Sequence, residues 1–357
     1  MLKISRSEKL LQSMCEEVAS DGEVAQLFVL KNKQGMQVTL MDIGATWLSC
    51  ELLVDDDFRE ILLGVNTFSE HCAQQAYLGA TIGRYANRIH KGQFTIGTQQ
   101  YQLDLNQQGN TLHGGTLGFD KLRWQVKSVS EQEVIFTLLS KDGDQGFPGT
   151  LNAQVRYHLS ADNSLTIEYQ ARVDKACPVN LTNHAYFNLD GSCPGQNCLT
   201  HKMKINADQY APVDNSGIPL GVFSKVENSS FDFRAYKNIG ADFMADAEQK
   251  KVAGYDHSFI LNRSSSTLNE NVVEVVSSDE KVRLCVSTTQ PSVHLYTGNY
   301  LSGIVNPAGV EYQNQAGFAL EAQFLADAPN HPEWPLGDPI LYPGELYQQK
   351  TLFSLHF

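Results

Sequence analysis

The chain is short of positive charge. Its 357 residues carry 27 Lys and Arg against 40 Asp and Glu, a formal net charge of −13. Phosphate contacts need a basic surface, so the charge argues against a nucleic-acid binder. Docking on anionic membranes is disfavoured for the same reason. Long apolar runs are also missing, and no stretch approaches the ~20 residues of a membrane span. The opening residues, MLKISRSEKLLQSMCEEV, lack the apolar core and cleavage site of a signal peptide. The seven cysteines (Cys15, Cys50, Cys72, Cys177, Cys193, Cys198 and Cys285) are scattered and never spaced C-x-x-C. That usage predicts reduced thiols in a cytoplasmic protein. Cys193 and Cys198 share a loop, but no further zinc ligand lies beside them. Nucleophile elbow, P-loop, H-E-x-x-H and dinucleotide fingerprint are all absent, as is any blade repeat. The expectation is a protein with no cofactor and no metal. A neutral ligand survives every one of these exclusions.

What the chain does contain is alternation. Segments such as MQVTLMDIG, EVIFTLLSKD, LNAQVRYHLS, SLTIEYQARV, KVRLCVSTT and the final QQKTLFSLHF carry a period of two. Turn signals separate them: KNKQG, KDGDQGFPG, SADNS and SSDEK, with tight hairpins expected at Asp162-Asn163 and Asp279-Glu280. More than a dozen such strands with few helices predict an all-β protein, a large antiparallel β-sandwich. Leu10, Leu11, Met14 and Val18 recur at helical spacing and predict a short helix within residues 5–18, part of an N-terminal extension over 1–20. A second, weaker helical patch covers 235–251 around Ala241, Phe243, Met244 and Ala245, interrupted by Gly240. No linker divides the chain, so residues 1–357 are expected to form one domain.

One stretch resists an ordinary reading. Residues 181–191 are LTNHAYFNLDG. As a strand, Thr182, His184, Tyr186 and Asn188 share a face opposite Leu181, Asn183, Ala185, Phe187 and Leu189. A solvated face usually carries Lys, Glu, Thr or Ser; an aromatic and polar row suits the wall of a polar pocket. Four other segments carry comparable residues. GATIGRYANRIHKG holds Arg84, Asn87 and Arg88 among small residues, where a guanidinium could bind a ligand or simply cap strands. NTLHGGTLGFDKLRW places His113 on a glycine-rich loop, mobile and exposed unless something holds it. In GYDHSFIL, Asp256, Ser258 and Ile260 share a strand face; Asp256 could accept hydrogen bonds from hydroxyls or be a turn residue. In GFALEAQFLADAPNHPEWP, Glu321 sits among Ala and large apolar neighbours. Desolvation there would raise its pKa toward neutrality, as a proton-transfer group needs. TTQPSVHLYTGNYL adds His294 and Tyr296 on one face. This inventory of acids, bases and donors without a cofactor signature suits a hydroxyl-rich neutral ligand. It fits an enzyme transferring protons on a sugar or a non-catalytic sugar-binding sandwich.

Taken in order, GATIGRYANRI, NTLHGG with GFDK, NLTNHAYFNLDG, YDHSFIL, QPSVHLYTGNYL and GFALEAQFLADAPNHPEWP with LYPGELY resemble the aldose 1-epimerases, or galactose mutarotases. The resemblance runs from about Gly35 to the C-terminus. It implies the same antiparallel β-sandwich and an isomerase that interconverts the α and β anomers of free aldohexoses such as galactose and glucose. It implies Glu321 as general base on the C1 hydroxyl and His184 as general acid on the ring oxygen. His113 matches a second histidine near the ring oxygen; Asn87, Arg88 and Asp256 match residues that hold sugar hydroxyls. Arg84 lies in a matching block but matches no sugar contact. His294 stands where some members place Gln, which leaves hydroxyl preference open. The partner implied is a small sugar, bound by a monomer or homodimer. A relative acting on a phosphorylated or modified hexose, or a non-catalytic sugar binder on the same fold, is the alternative.

Overall fold

The computed structural model describes residues 5–192, 195–262 and 268–357. Among them, antiparallel sheets carry nearly all of the regular structure and the α-helices are short. A nine-stranded sheet forms one layer. It takes in the strands Glu133–Ser140, Leu151–Leu159, Ser164–Val173, Arg283–Thr288 and Tyr347–His356, every neighbouring pair antiparallel. In Leu151–Leu159 the predicted alternation is visible residue by residue. Leu151, Ala153, Val155, Tyr157 and Leu159 are buried, while the residues between them are partly or fully exposed. The hairpins fall where the turn signals put them, with Asn163 and Glu280 in the left-handed region at φ 61° and 60°.

A four-stranded sheet (Leu27–Lys31, Met36–Met41, Thr46–Val54, Asp57–Glu60) and a six-stranded sheet complete the layers. The six-stranded sheet contains Tyr186–Phe187, Phe318–Gln323, Ser292–Tyr296 and Asp256–Ile260 in that lateral order, followed by two short edge strands. The three sheets meet in the core at an aromatic node. Trp47, Phe187 and Phe353, one from each sheet, sit with ring centroids 5.5–5.7 Å apart. Such pairs contribute roughly 0.5–1.5 kcal/mol each beyond the area they bury.

The six-stranded sheet differs from the nine-stranded one in a way that prepares the site. All six residues of Phe318–Gln323 are buried, on both faces. Phe318 and Leu320 join the main core. Glu321, on the alternate face, looks into a cavity instead.

The helices correct two expectations. The first, α1, covers Arg6–Ser13 only. Ser5 and Glu8 form its capping box, and Glu51 accepts hydrogen bonds from the Arg6 and Ser7 backbone N–H groups. Leu10 and Met14 are buried as the spacing predicts, but Leu11 is exposed, and Val18 lies past the helix in a bridge with Val24. In the 235–251 patch, only Ala247–Lys251 is helical. Asp246 caps it, and Ala241, Phe243, Met244 and Ala245 lie in the turns before it. Between these two helices lies one that periodicity does not reveal, Phe68–Ala73. Its signature is the capping box Thr67–Glu70. Six described cysteines are free, Cys198 among them; Cys193 lies outside the described residues.

Candidate active site

The sheet wall of the site comes from three neighbouring strands. Ser258, His294 and Glu321 stand directly opposite one another across Asp256–Ile260, Ser292–Tyr296 and Phe318–Gln323. Asp256, Tyr296 and Tyr186 form the next row on the same face. Asp256 lies within a strand, so the turn reading of that residue is corrected.

The facing wall is built from loops. Thr182–Asn183 pairs with Thr81–Ile82, and the ladder then breaks. Asn183 pins the break: its Nδ2 donates to the Gly79 carbonyl, and its Oδ1 accepts from Ala185 N–H. His184 is thereby turned into the cavity with Tyr186 two residues on. Thr182 and Asn188, expected on the same row, do not reach it; Asn188 Nδ2 donates to the Ala316 carbonyl. The strand run is interrupted, and only its middle faces the pocket.

His113 is buried and held by hydrogen bonds, where the glycine-rich loop alone suggested exposure. Its ring Nδ1 accepts from Asn87 N–H at 3.2 Å, while its own N–H donates to the Asn87 carbonyl at 3.0 Å. This clamp leaves Nε2 as the proton-bearing nitrogen of the neutral ring. Burial, with His184 and Arg88 nearby, pushes His113 well below the ordinary imidazole range. Gly114 makes the bend possible: at φ +87° a Cβ would sit 1.9 Å from the Gly83 carbonyl oxygen.

The seven predicted residues, Asn87, Arg88, His113, His184, Asp256, His294 and Glu321, all line one cavity of about 500 Å³. Glu321 Oε1 and His184 Nε2 lie 3.6 Å apart, both residues almost fully buried. Glu321 Oε2 and His184 Nδ1 have no protein partner. His113, His184 and Glu321 each offer one ligand atom within 4.8 Å of the others, so this trio is where the described residues could hold an ion. Arg88 donates from Nε to Gln107 and from Nη1 to Asn87 Oδ1, and its Nη2 lies 3.5 Å from Asp256 Oδ2. Burial works to raise the Asp256 carboxyl, but Arg88 and His294 hold it well below the usual range.

Arg84 has a different role. It is 2 % exposed and spends its guanidinium on Ser140 Oγ and the carbonyls of Lys141, Pro148 and Gly149, away from the cavity. Among the cavity residues that sequence reasoning missed are Tyr77, Gln107, Asp120 and Tyr300. Tyr77 packs against both loop histidines, 4.6 Å from His113 and 5.8 Å from His184 between ring centroids. With Tyr186 and Tyr296 it encloses His184 in aromatic rings. A second, wider cavity of about 700 Å³ adjoins the first across Gln74, Gln75, Arg88, Gln107 and Tyr300.

The pocket thus pairs a carboxylate with an imidazole and rims them with fixed hydrogen-bonding groups, a set that can move a proton each way on a bound polyol. Residues 26–354 match the family model described as aldose 1-epimerase. An aldose 1-epimerase from Escherichia coli is 48% identical over 94% of this chain and 97% of its own. A human galactose mutarotase is 37% identical over 95% and 96%. The crystal structure of a galactose 1-epimerase from Lactobacillus acidophilus superposes with a TM-score of 0.83 at 32% identity, over 95% of this chain and 97% of that one.

Proposed function

This chain belongs to the aldose 1-epimerase family, and on that premise we propose that Glu321 and His184 are its acid–base pair. The protein is an isomerase that interconverts the α and β anomers of free aldoses. Glu321 takes the proton of the C1 hydroxyl while His184 protonates the ring oxygen. The ring opens, the C1–C2 bond rotates, and the aldehyde presents its other face. The two groups then act in reverse and return to their starting states, so a full cycle needs no external proton. His113 stands near the ring oxygen, and Asn87, Arg88 and Asp256 hold the remaining hydroxyls, with His294 on the same wall. Galactose and glucose are the substrates this reading favours. The whole chain acts as one cytoplasmic domain, monomer or homodimer, with no nucleic-acid or membrane partner.

The observation that supports the pair is its placement. A carboxylate oxygen and an imidazole nitrogen 3.6 Å apart in a buried pocket are close enough to serve the two oxygens of one anomeric carbon at once. One unpartnered atom on each residue leaves capacity for a substrate. Polarimetry on freshly dissolved α-D-galactose, corrected for buffer catalysis, tests the activity. Faster approach to an unchanged final rotation is expected, and a chelator should leave the rate as it is. Loss of activity with the chelator would instead give the His113, His184 and Glu321 trio to a metal ion.

A further inference from the structure

His294 sits between two hydrogen-bond partners. Ser258 Oγ lies 2.9 Å from its Nδ1 and Asp256 Oδ1 lies 2.7 Å from its Nε2. Ser258, His294 and Asp256 are 4, 4 and 8 % exposed. Ser258 faces His294 directly across the ladder and does not itself line the cavity, whereas His294 and Asp256 do. Both nitrogens of the ring are therefore committed to the protein.

The roles follow from the carboxylate. Asp256 is held ionised and can only accept. Nε2 must donate to it. In the neutral ring Nδ1 is then the acceptor, and the Ser258 hydroxyl donates. The carboxylate thus sets the tautomer, and the Ser258 hydroxyl, which can donate or accept, holds the ring through Nδ1. Without Ser258 the ring keeps its Nε2–H but loses the hydrogen bond that fixes its plane against Asp256. Arg88 secures the other carboxylate oxygen.

We propose that Ser258 and His294 are positioning residues that fix the Asp256 carboxylate for a sugar hydroxyl, His294 giving no ring nitrogen to the substrate. This rests on the reading of Asp256 as a sugar ligand. It departs from the expectation that His294 binds sugar directly, and it brings in a residue outside the pocket wall.

The test is a double-mutant cycle on the full chain with Ser258→Ala and His294→Gln. Its readouts are the calorimetric Kd for galactose and the polarimetric KM and kcat. Ser258→Ala should raise Kd and KM about tenfold, the cost of losing the buried hydrogen bond that orients the ring against a charged group, with kcat changed less than about threefold. A Gln amide donates to Asp256 without a ring nitrogen for Ser258 to hold. In the His294→Gln background, Ser258→Ala should therefore add less than about twofold. An equal penalty in both backgrounds, or a fall in kcat at unchanged Kd, would overturn the proposal. The ring ¹⁵N resonances of His294 supply a readout free of sugar. The Nε2–H form is expected in the parent protein and, because Asp256 remains, in Ser258→Ala as well; an Nδ1–H form in the parent would also overturn the proposal. A parent protein that binds galactose without speeding mutarotation would count against the Glu321–His184 reading and leave the cycle decisive for Ser258.

Discussion

The two walls of the pocket are built on different principles. The sheet wall takes Asp256, His294 and Glu321 from regular strands, locked by ladder pairing two residues at a time. The loop wall takes Asn87, His113 and Tyr77 from segments in the left-handed region, at φ 66°, 51° and 57°, where the chain is held by side-chain bonds and close backbone contacts. A sheet places a side chain cheaply, because its neighbours need the same geometry. A loop residue must be held against its own conformational preference, and that costs of order 1–3 kcal/mol per strained position. Glu321 from the sheet wall and His184 from the loop wall meet where the two adjoin, with Oε1 and Nε2 3.6 Å apart.

The largest effects should come from the pair that spans them. Glu321→Gln keeps the size and a hydrogen-bonding side chain but removes the base. Polarimetry should find kcat reduced on the order of 10²–10⁴ with galactose still bound. An active Gln variant would break the assignment on the sheet side. His184→Asn removes the acid from the loop side and should cost a similar 10²–10⁴. A loss below tenfold would move the acid role to His113, its neighbour 5.3 Å away between ring centroids.

The comparison also explains what could be read from the sequence. The sheet wall was legible because period two sorts faces without knowledge of the partner strand. It put Glu321 on the face opposite Phe318 and Leu320, and Asp256 with Ser258. The strands of the nine-stranded sheet were legible for the same reason. The loop wall was not. Tyr77 carries no periodic signal, and nothing local says that a Gly-rich loop will bury His113 rather than expose it; the clamp to Asn87 is 26 residues away in sequence. In 181–191 the period misleads, because Asn183 pins a break in the strand, and Thr182 and Asn188, expected on the pocket row, do not reach the cavity. Arg84 and Arg88 show the limit best. Four residues apart in one motif, they are alike in type, yet one pins a buried loop and the other faces the cavity. Their roles in the fold were separable only through the resemblance of the whole block.

A smaller effect should follow from disturbing the loop wall without touching its chemistry. Gly114→Ala introduces a Cβ into the Gly83 carbonyl at a positive φ. Backbone must shift on both sides, and about 1–3 kcal/mol of stability should be lost. Thermal unfolding would show a lowered Tm, and KM should rise as His113 is displaced. Unchanged Tm and KM would mean that the loop is held by something other than this close approach.

The last predicted effect, on stability and not on turnover, separates the walls by charge. On the sheet side Asp256 has Arg88 and His294 to stabilise its ionised form. On the loop side Asp120, beside Phe119 in the turn Phe119–Lys121, is raised from 3.8 to about 6 by burial, which Lys121 only partly offsets. Folded protein therefore keeps the Asp120 proton up to about pH 6, while the unfolded chain releases it near the ordinary value. Between these limits the native state binds more protons, so stability falls as pH rises, and the loss is complete above the folded pKa. Asp256 has the opposite sign: its contribution is full above the ordinary aspartate range and is lost only as pH falls toward its depressed value. Asp120→Asn removes the first dependence and leaves the second. Calorimetric Tm values taken every half unit from pH 4 to 7 should show the variant gaining on the parent protein as pH rises through 6. Parallel curves would place the Asp120 carboxyl with the solvated groups of the surface, and the contrast between the walls would then rest on geometry alone.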